Sequence, residues 1–393
     1  LEFTKVWKST KIGEIADIVG GGTPRTEVEE YWDGEIKWFT PSEIGKTKYI
    51  FDSKRHITDK GLKNSSAKLL PKDTILLSSR ATVGEISIAL TECSTNQGFQ
   101  SLITKNNVDN DFIYYLISTI KNEFLRRSSG STFLEISKNE IKRIPINIPE
   151  LSEQNKISNL FSAIDNKIEM LEKKHQYYQD FKKYLMQRIF SSQDDKLRFE
   201  NYNEAIYKLS DLYSSKKGTG LSKDKLDEEG LNKCILYGEL YTTYNEIIQD
   251  VKSKTNSQEG ILSKVGDILI PSSTTTKGID LVTASVILEE NVLLSGDITI
   301  LRSKNENIIN NKFFAYYFTN NLVKDVSKLT QGSTIIHLYW KDFKKVKLAL
   351  PPINEQNKCV DLFLKLDKKI DLINFQIQKM EEFKKGLLQQ MFV

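Results

Sequence analysis

The segment EQNKISNLFSAIDNKIEMLEKKHQYYQDFKKYLMQRIF, Glu153 to Phe190, returns as EQNKCVDLFLKLDKKIDLINFQIQKMEEFKKGLLQQMF, Glu355 to Phe392. The offset is 202 throughout, without a gap, and 16 of 38 positions are identical. A chain carrying one long segment twice must fold as two copies of something, so this repeat is read before anything else. Apolar residues alternate by four and three in both copies. The first runs Ile157, Phe161, Ile164, Ile168, Leu171, His175, Tyr178, Lys182, Leu185, Ile189. The second runs Cys359, Phe363, Leu366, Ile370, Ile373, Ile377, Met380, Lys384, Leu387, Met391. This is a heptad seam, and it predicts a long coiled-coil helix in each half. At ~1.5 Å per residue each helix reaches about 57 Å, which spans a distance and does not shape an active site. Lys182 and Lys384 occupy equivalent seam positions, where they are expected to snorkel or to mark a fraying end. His175 faces Ile377 in the repeat and reads as a seam or rim residue.

Each copy opens on a start signal. Pro149, or the pair Pro351 and Pro352, ends an extended segment. Ser152 and Asn354 then stand as the expected N-caps, with Glu153 and Glu355 in the first turn, where negative charge suits the helix dipole.

The repeat extends more weakly beyond the helices. KDTILLSSRATVGEISIA from Lys72 resembles GDILIPSSTTTKGIDLVTA from Gly266, NDFIYYLI from Asn110 resembles NKFFAYYF from Asn311, and both halves carry a GST element, at Gly130 and Gly332. Short β-rich runs such as TILLSS and DITILRS, followed by one medium helix, predict a small mixed domain ahead of each long helix. The expected order is a first domain over 1–150, a long helix over 151–193, a second domain over 194–352 and a second helix over 353–393, an α+β fold with an internal repeat. Residues 20–66 and 214–262 hardly match. A scaffold is thus kept alike while something else is allowed to differ.

Composition limits the alternatives. A hydrophobic content of 39% and a charged content of 27% are those of a globular protein, and 393 residues call for more than one core. No apolar run approaches the ~18 residues of a membrane span, and nothing reads as a signal peptide. Three scattered cysteines form no metal pair or disulfide framework, which fits a reducing cytoplasm. The chain opens on Leu1, so a few native residues are expected to precede it. A net charge of +4 means that any nucleic-acid surface must concentrate its basic residues locally.

The residues also exclude several chemistries. The only double proline, Pro351-Pro352, follows Leu350 and lacks the Asn or Asp of an adenine-methyltransferase motif. GKT at Gly45 has Thr40 where a phosphate-binding loop needs its first glycine, and GGGTP at Gly20 lacks dinucleotide-loop spacing. Three isolated histidines make no zinc cluster, and no histidine matches the serine-rich loops in both halves.

Taken together, GGGTPRTEVEEYWDGEIKWFTPSEI (Gly20–Ile44), ILLSSRATVG (Ile75–Gly84), NQGF (Asn96–Phe99), the two GST elements and the PELSEQ and PPINEQ helix starts resemble the DNA-specificity subunits of type I restriction–modification systems. The resemblance covers essentially the whole chain in the family's order of domain, helix, domain, helix. It departs most in the second domain, where SSKKGTG and ILYGEL replace the GGTP block. What it implies is a non-catalytic reader of a bipartite, asymmetric DNA target. The two helices are then expected to pack antiparallel about an internal pseudo-two-fold and to hold the two target-recognition domains apart. Two methyltransferase subunits would dock on them, and restriction/translocase subunits would join. S-adenosylmethionine, ATP and Mg would belong to those partners, the chain itself holding no cofactor or metal, in a bacterial or archaeal cytoplasm beside the nucleoid.

Base reading needs Arg, Asn, Gln or short hydroxyl side chains, and phosphate binding needs Lys, Arg, hydroxyls and free N–H groups. In the first domain the candidates are Thr23 and Arg25, then Thr40 and Ser42, then Ser78, Ser79, Arg80 and Thr82, and finally Asn96 and Gln97. Trp38 stands at the same cleft or in the core, and Asn96 reads adenine or caps a turn. In the second domain they are Lys216, Lys217, Thr219 and Tyr237, with Ser272, Ser273, Thr274, Thr275, Thr276 and Lys277 taken as the counterpart of SSRAT. The GST elements are a shared turn or a phosphate contact. The seam is expected to pack through Phe161, Ile164, Ile168, Leu171, Leu185, Phe363, Leu366, Ile370, Ile373, Ile377 and Leu387. The competing class is a coiled-coil protein scaffold that binds no specific DNA.

Overall fold

The computed structural model describes residues 7–130, 134–191, 197–200 and 202–392. Two compact units emerge, residues 1–172 with 375–393 and residues 173–374. The long helices Leu151–Ile189 and Ile353–Phe392 each contribute one half to either unit. No helix among the described residues is long and apolar enough to cross a membrane.

In the first unit a five-stranded sheet runs in the order Ala16–Gly20, Gln100–Thr104, Ile75–Leu77, Ile86–Ala89, Tyr49–Ile50. The period of two along ILL explains its layering. Ile75 and Leu77 point to a core with the helix Asn110–Thr119 and with Ile157, Phe161 and Ile164 of the long helix. Leu76 points the other way, to a core with Phe39, Ile44, Leu70 and Phe99. Above that second core lies a three-stranded sheet, Arg55–Ile57, Trp32–Phe39 and Cys93–Thr95.

The second unit repeats this plan. Its five strands are Tyr213–Lys217, Ile298–Ser303, Ile268–Pro271, Ser285–Ile287 and Ile247–Ile248, backed by the helix Asn311–Asn321. A four-stranded sheet built on Asn232–Ile235 covers the other face. Thus residues 214–262 take up the same layout as 20–66 although their sequences hardly match. Spaced apolar positions carry this fold, and the residues between them are free to vary.

Within each unit the two long-helix segments run antiparallel. In the first, Phe161 meets Phe392 with ring centroids 6.0 Å apart, and Asp165 meets Lys384 at 2.6 Å. In the second, Phe190 meets Phe363 at 5.7 Å and Lys182 meets Asp367 at 2.6 Å. Phe161, Ile164, Leu171, Phe363, Leu366 and Ile373 are buried, while Ile168, Leu185, Ile370, Ile377 and Leu387 are half-buried.

Two expectations change here. Lys182 and Lys384 neither snorkel nor mark a frayed end. Each neutralises an aspartate that also accepts from a tyrosine, Tyr115 Oη to Asp165 Oδ2 at 2.7 Å and Tyr316 Oη to Asp367 Oδ2 at 2.5 Å. Burial, helped by these carboxylates, pushes both phenols above their ordinary range and keeps them as donors. Nor do Ser152 and Asn354 cap the helices. The helices open two residues earlier than those caps require, at Leu151 and Ile353, and the first-turn N–H groups of Gln154 and Gln356 donate to Glu150 O and Pro352 O.

The glutamine of each EQ pair does more than a cap. Gln154 Nε2 donates to Pro149 O at 2.9 Å, and its Oε1 accepts from Asp109 N at 3.0 Å. Gln356 Nε2 donates to Pro351 O and Ile308 O, both at 2.9 Å, and its Oε1 accepts from Asn310 N at 2.9 Å. Asp109 and Asn310 are the N-caps of the medium helices. One buried amide therefore joins the last strand, the long helix and the medium helix of each domain. Gln356→Leu leaves three backbone groups without a partner, and urea denaturation should show a loss of about 2–5 kcal/mol.

Candidate nucleic-acid interface

At one edge of the first domain several loops meet. Gly22 N donates to Thr95 O at 2.8 Å, and Thr23 Oγ1 donates to Gln97 Oε1 at 2.5 Å, so the GGGTPR loop lies against NQG. Asn96 N donates to Phe39 O, and Ser79 N donates to Gly98 O at 2.8 Å, which brings in the TPSE and SSRAT loops. Ile136 N donates to Ser79 O at 3.0 Å, adding the segment around Glu135 and Ile136. Thr23, Thr40, Ser42, Arg80, Thr82 and Gln97 thus belong to one loop cluster. Ser131 and Thr132 lie outside the described residues.

Two tryptophans hold this cluster from beneath. Trp38 is buried and donates its indole N–H to Gly22 O at 2.9 Å, and Trp32 donates to Arg25 O at 3.1 Å. The Arg55 guanidinium sits 3.5 Å from the Trp32 ring centroid. Trp38 therefore fixes the loop and does not line a cleft, while the Arg25 side chain remains exposed. The glycines serve close approach. A Cβ on Gly21 would fall 2.1 Å from Asn96 O, and one on Gly218, its counterpart in the second domain, 1.9 Å from Ser295 O.

Lys216 and Lys217 are exposed on the strand that leads into Gly218, with Lys217 3.3 Å from Asp297. Thr219 is exposed beside them, and Tyr237 is half-buried against the core under the four-stranded sheet. Burial pushes the Tyr237 hydroxyl above its ordinary value, so it remains a donor. Ser272 N donates to Asp297 O at 2.7 Å, and Leu338 N donates to Ser272 O at 3.0 Å. These bonds match those of Ser79, so Ser272 corresponds to Ser79 and Pro271 to Ser78. The serine runs align one residue away from their sequence register.

Several expected contacts are corrected by burial. Ser78, Ser79, Ser272, Ser273 and Thr274 are buried, because the central strands continue into the loops and keep their backbone bonds. Ser78 Oγ donates to Arg80 O at 3.0 Å, and Ser272 Oγ bonds Thr299 Oγ1 at 2.8 Å, so these hydroxyls shape the loops. Arg80, Thr82, Thr275, Thr276 and Lys277 carry the exposed chemistry. Thr276 is tied to Asp280 at 2.5 Å, and Thr40 is tied to Glu43 at 2.6 Å. Asn96 is turned to its own loop, its Oδ1 accepting from Gly98 N at 2.8 Å, which is the turn-capping alternative.

Three residues escaped sequence reasoning: Arg55, Glu135 and His337. Glu135 lies 3.9 Å from Arg80, and His337 Nδ1 lies 2.9 Å from Ser273 Oγ. They are 202 apart, the offset of the long helices, and that spacing could have flagged them. Burial pushes the Cys93 and Cys234 thiols up to about 12 and about 11, so they are protonated at neutral pH. Among the described residues no group of three His, Cys, Asp or Glu could hold a metal ion.

Residues 4–177 and again 202–382 match the family described as the type I restriction modification DNA specificity domain. This chain belongs to that family. Two adjacent matches account for the repeat, and recognition of a DNA target, rather than scaffolding alone, is the function of a type I specificity subunit. The type I restriction enzyme MjaIX specificity subunit of Methanocaldococcus jannaschii is 29% identical over 413 residues, covering 98% of this chain and 92% of that one. The crystal structure of the type I S subunit from M. genitalium matches with a TM-score of 0.63 at 19% identity, over 100% of this chain and 98% of the other. A chain from a study of complex assembly and conformational transition in the type I system matches at 0.62 and 15% identity, over 99% and 98%. At such identities these two likenesses establish the fold.

The close glycine approach gives a direct test. Gly21→Ala must push the loop off Asn96, and thermal denaturation should show a loss of about 1–3 kcal/mol. Amide exchange should rise at residues 20–25 and stay unchanged in the second domain.

Proposed function

We propose that this chain is the non-catalytic reader of a type I complex and recognises a bipartite, asymmetric DNA target, one half-site per domain. The long helices act as the spacer and dock two methyltransferase subunits, and restriction/translocase subunits complete the assembly. S-adenosylmethionine, ATP and Mg belong to those partners, and the complex works in the cytoplasm beside the nucleoid. The observation that carries this reading is duplication with difference. The same backbone frame around Ser79 and Ser272 presents Arg80 and Thr82 in one domain and Thr275, Thr276 and Lys277 in the other. Two readers on one scaffold need such a pattern if their half-sites differ.

Co-expression with the methyltransferase subunit and genome-wide mapping of methylated adenines should give a two-part motif with an unspecified spacer. Exchanging residues 1–172 for those of another specificity subunit should change one half of the motif and leave the other. Binding of the assembled complex to its duplex should fall steeply with salt, the log–log slope growing by about 0.9 per phosphate contact. A complex that binds this duplex no better than an unrelated acidic polymer would point to the scaffold class.

A further inference from the structure

Beyond the serine loops, one pair of positions holds opposite chemistry on equivalent backbone. In the first domain the residue after Ser79 is Arg80, which faces Glu135 at 3.9 Å, with about half of each side chain exposed (47% and 50%). In the second domain the residue after Ser272 is Ser273, and its Oγ lies 2.9 Å from His337 Nδ1. Glu135 and His337 immediately precede Ile136 and Leu338, whose N–H groups donate to Ser79 O and Ser272 O. The four residues therefore occupy matching places, and an exposed ion pair in one domain is replaced by a hydroxyl–imidazole hydrogen bond in the other.

His337 is held in a way that suits recognition. Ser273 is buried and fixes the ring through Nδ1, while Tyr339 stacks on it at 5.4 Å with an interplanar angle of 10°. Nε2 has no hydrogen-bond partner among the described residues, and the half-buried His337 lies opposite Ser273, two residues before the exposed Thr275. A polar atom with a fixed direction at the surface can discriminate base edges, whereas a mobile one only adds contact.

We propose that His337 reads a base edge in the half-site bound by the second domain through Nε2, and that Arg80, oriented by Glu135, does so at the matching place in the first. The inference rests on the half-site reading above. With Ser273 donating to Nδ1, Nε2–H is a donor for the N7 or O6 acceptors of a purine. In the other tautomer Nε2 accepts from the amino group of adenine or cytosine. Arg80 carries a forked donor, which fits the two acceptors of guanine.

The test uses the full chain assembled with its methyltransferase, and reads adenine methylation on every single-base variant of the wild-type motif. His337→Ala should relax preference at one base pair of one half-site by about 5- to 150-fold, leaving the other half-site intact. Ser273→Ala should relax the same base pair to a smaller degree. Arg80→Ala, at an exposed position, should relax a base pair in the opposite half-site, and so tests the idea even if the His337 variant fails to assemble. A uniform fall across all motif variants would mean a phosphate contact, and an unchanged motif a structural role; either result overturns the proposal. Failure of the half-site reading looks different, since the wild-type complex would then yield no two-part motif at all.

Discussion

A single buried amide decides how each domain sits on its helix. Gln154 and Gln356 bond the carbonyl that ends the last strand and the N–H that opens the medium helix, from a position inside the first turn of the long helix. Leaving any of these backbone groups unpaired in the interior costs about 1–3 kcal/mol, so the three elements are fixed together or not at all. The neighbouring glutamate adds a further tie in each copy, Glu153 accepting from Trp7 and Glu355 from the Phe199 N–H. A domain so fastened can vary its loops without altering its seat.

A second device works further along each long helix. Asp165 with Lys384 and Tyr115, and Asp367 with Lys182 and Tyr316, are the same three-residue arrangement in the two units. These charges are half-buried, so part of their attraction is spent on desolvation, and the tyrosine adds a hydrogen bond to each carboxylate that offsets it. The seam lysines, polar interruptions in an apolar repeat, therefore set the register of the antiparallel partner. This is a known use of polar seam residues in coiled coils.

Much of this was legible in the sequence, and the reasons it was or was not are local. The seam, the medium helices and the mixed domains follow from apolar spacing and β-rich runs, which a chain must display to bury a core. The second domain was legible only in its framework, because residues 214–262 keep spacing and little identity. The helix caps were misplaced because Glu150 and Pro352 accept through backbone carbonyls, which no side-chain preference reveals. The serine loops were misread in both exposure and register, since a run of SS looks alike whether it ends a strand or tips a loop. Glu135 and His337 were passed over because a lone acid and a lone histidine carry no motif; their 202-residue spacing hints at equivalence, and the backbone frame shows that they are the same place.

The scaffold copies are not interchangeable in detail, and this defines what can be exchanged between them. Lys48 O accepts from Ile88 N, and Glu246 O accepts from Val286 N, so the two residues hold equivalent positions with opposite charge. Lys48 bonds Tyr115 Oη at 3.0 Å and Ser162 Oγ at 2.9 Å and pairs with Asp111 at 3.3 Å. Burial pulls this ammonium below its ordinary value, while Asp111 opposes that pull. At the matching place Glu246 faces Lys182 at 3.5 Å, and Leu364 stands where the first copy has Ser162. Asp165 with Lys384 would offer a second-domain body the same charges as Asp367 with Lys182, but a first-domain body placed on the second helix would meet Leu364 and lose the hydroxyl that Ser162 gives Lys48. The exchangeable part is therefore the domain together with the opening half of its own long helix, and the cut belongs past Asp165 rather than at the proline where the helix begins.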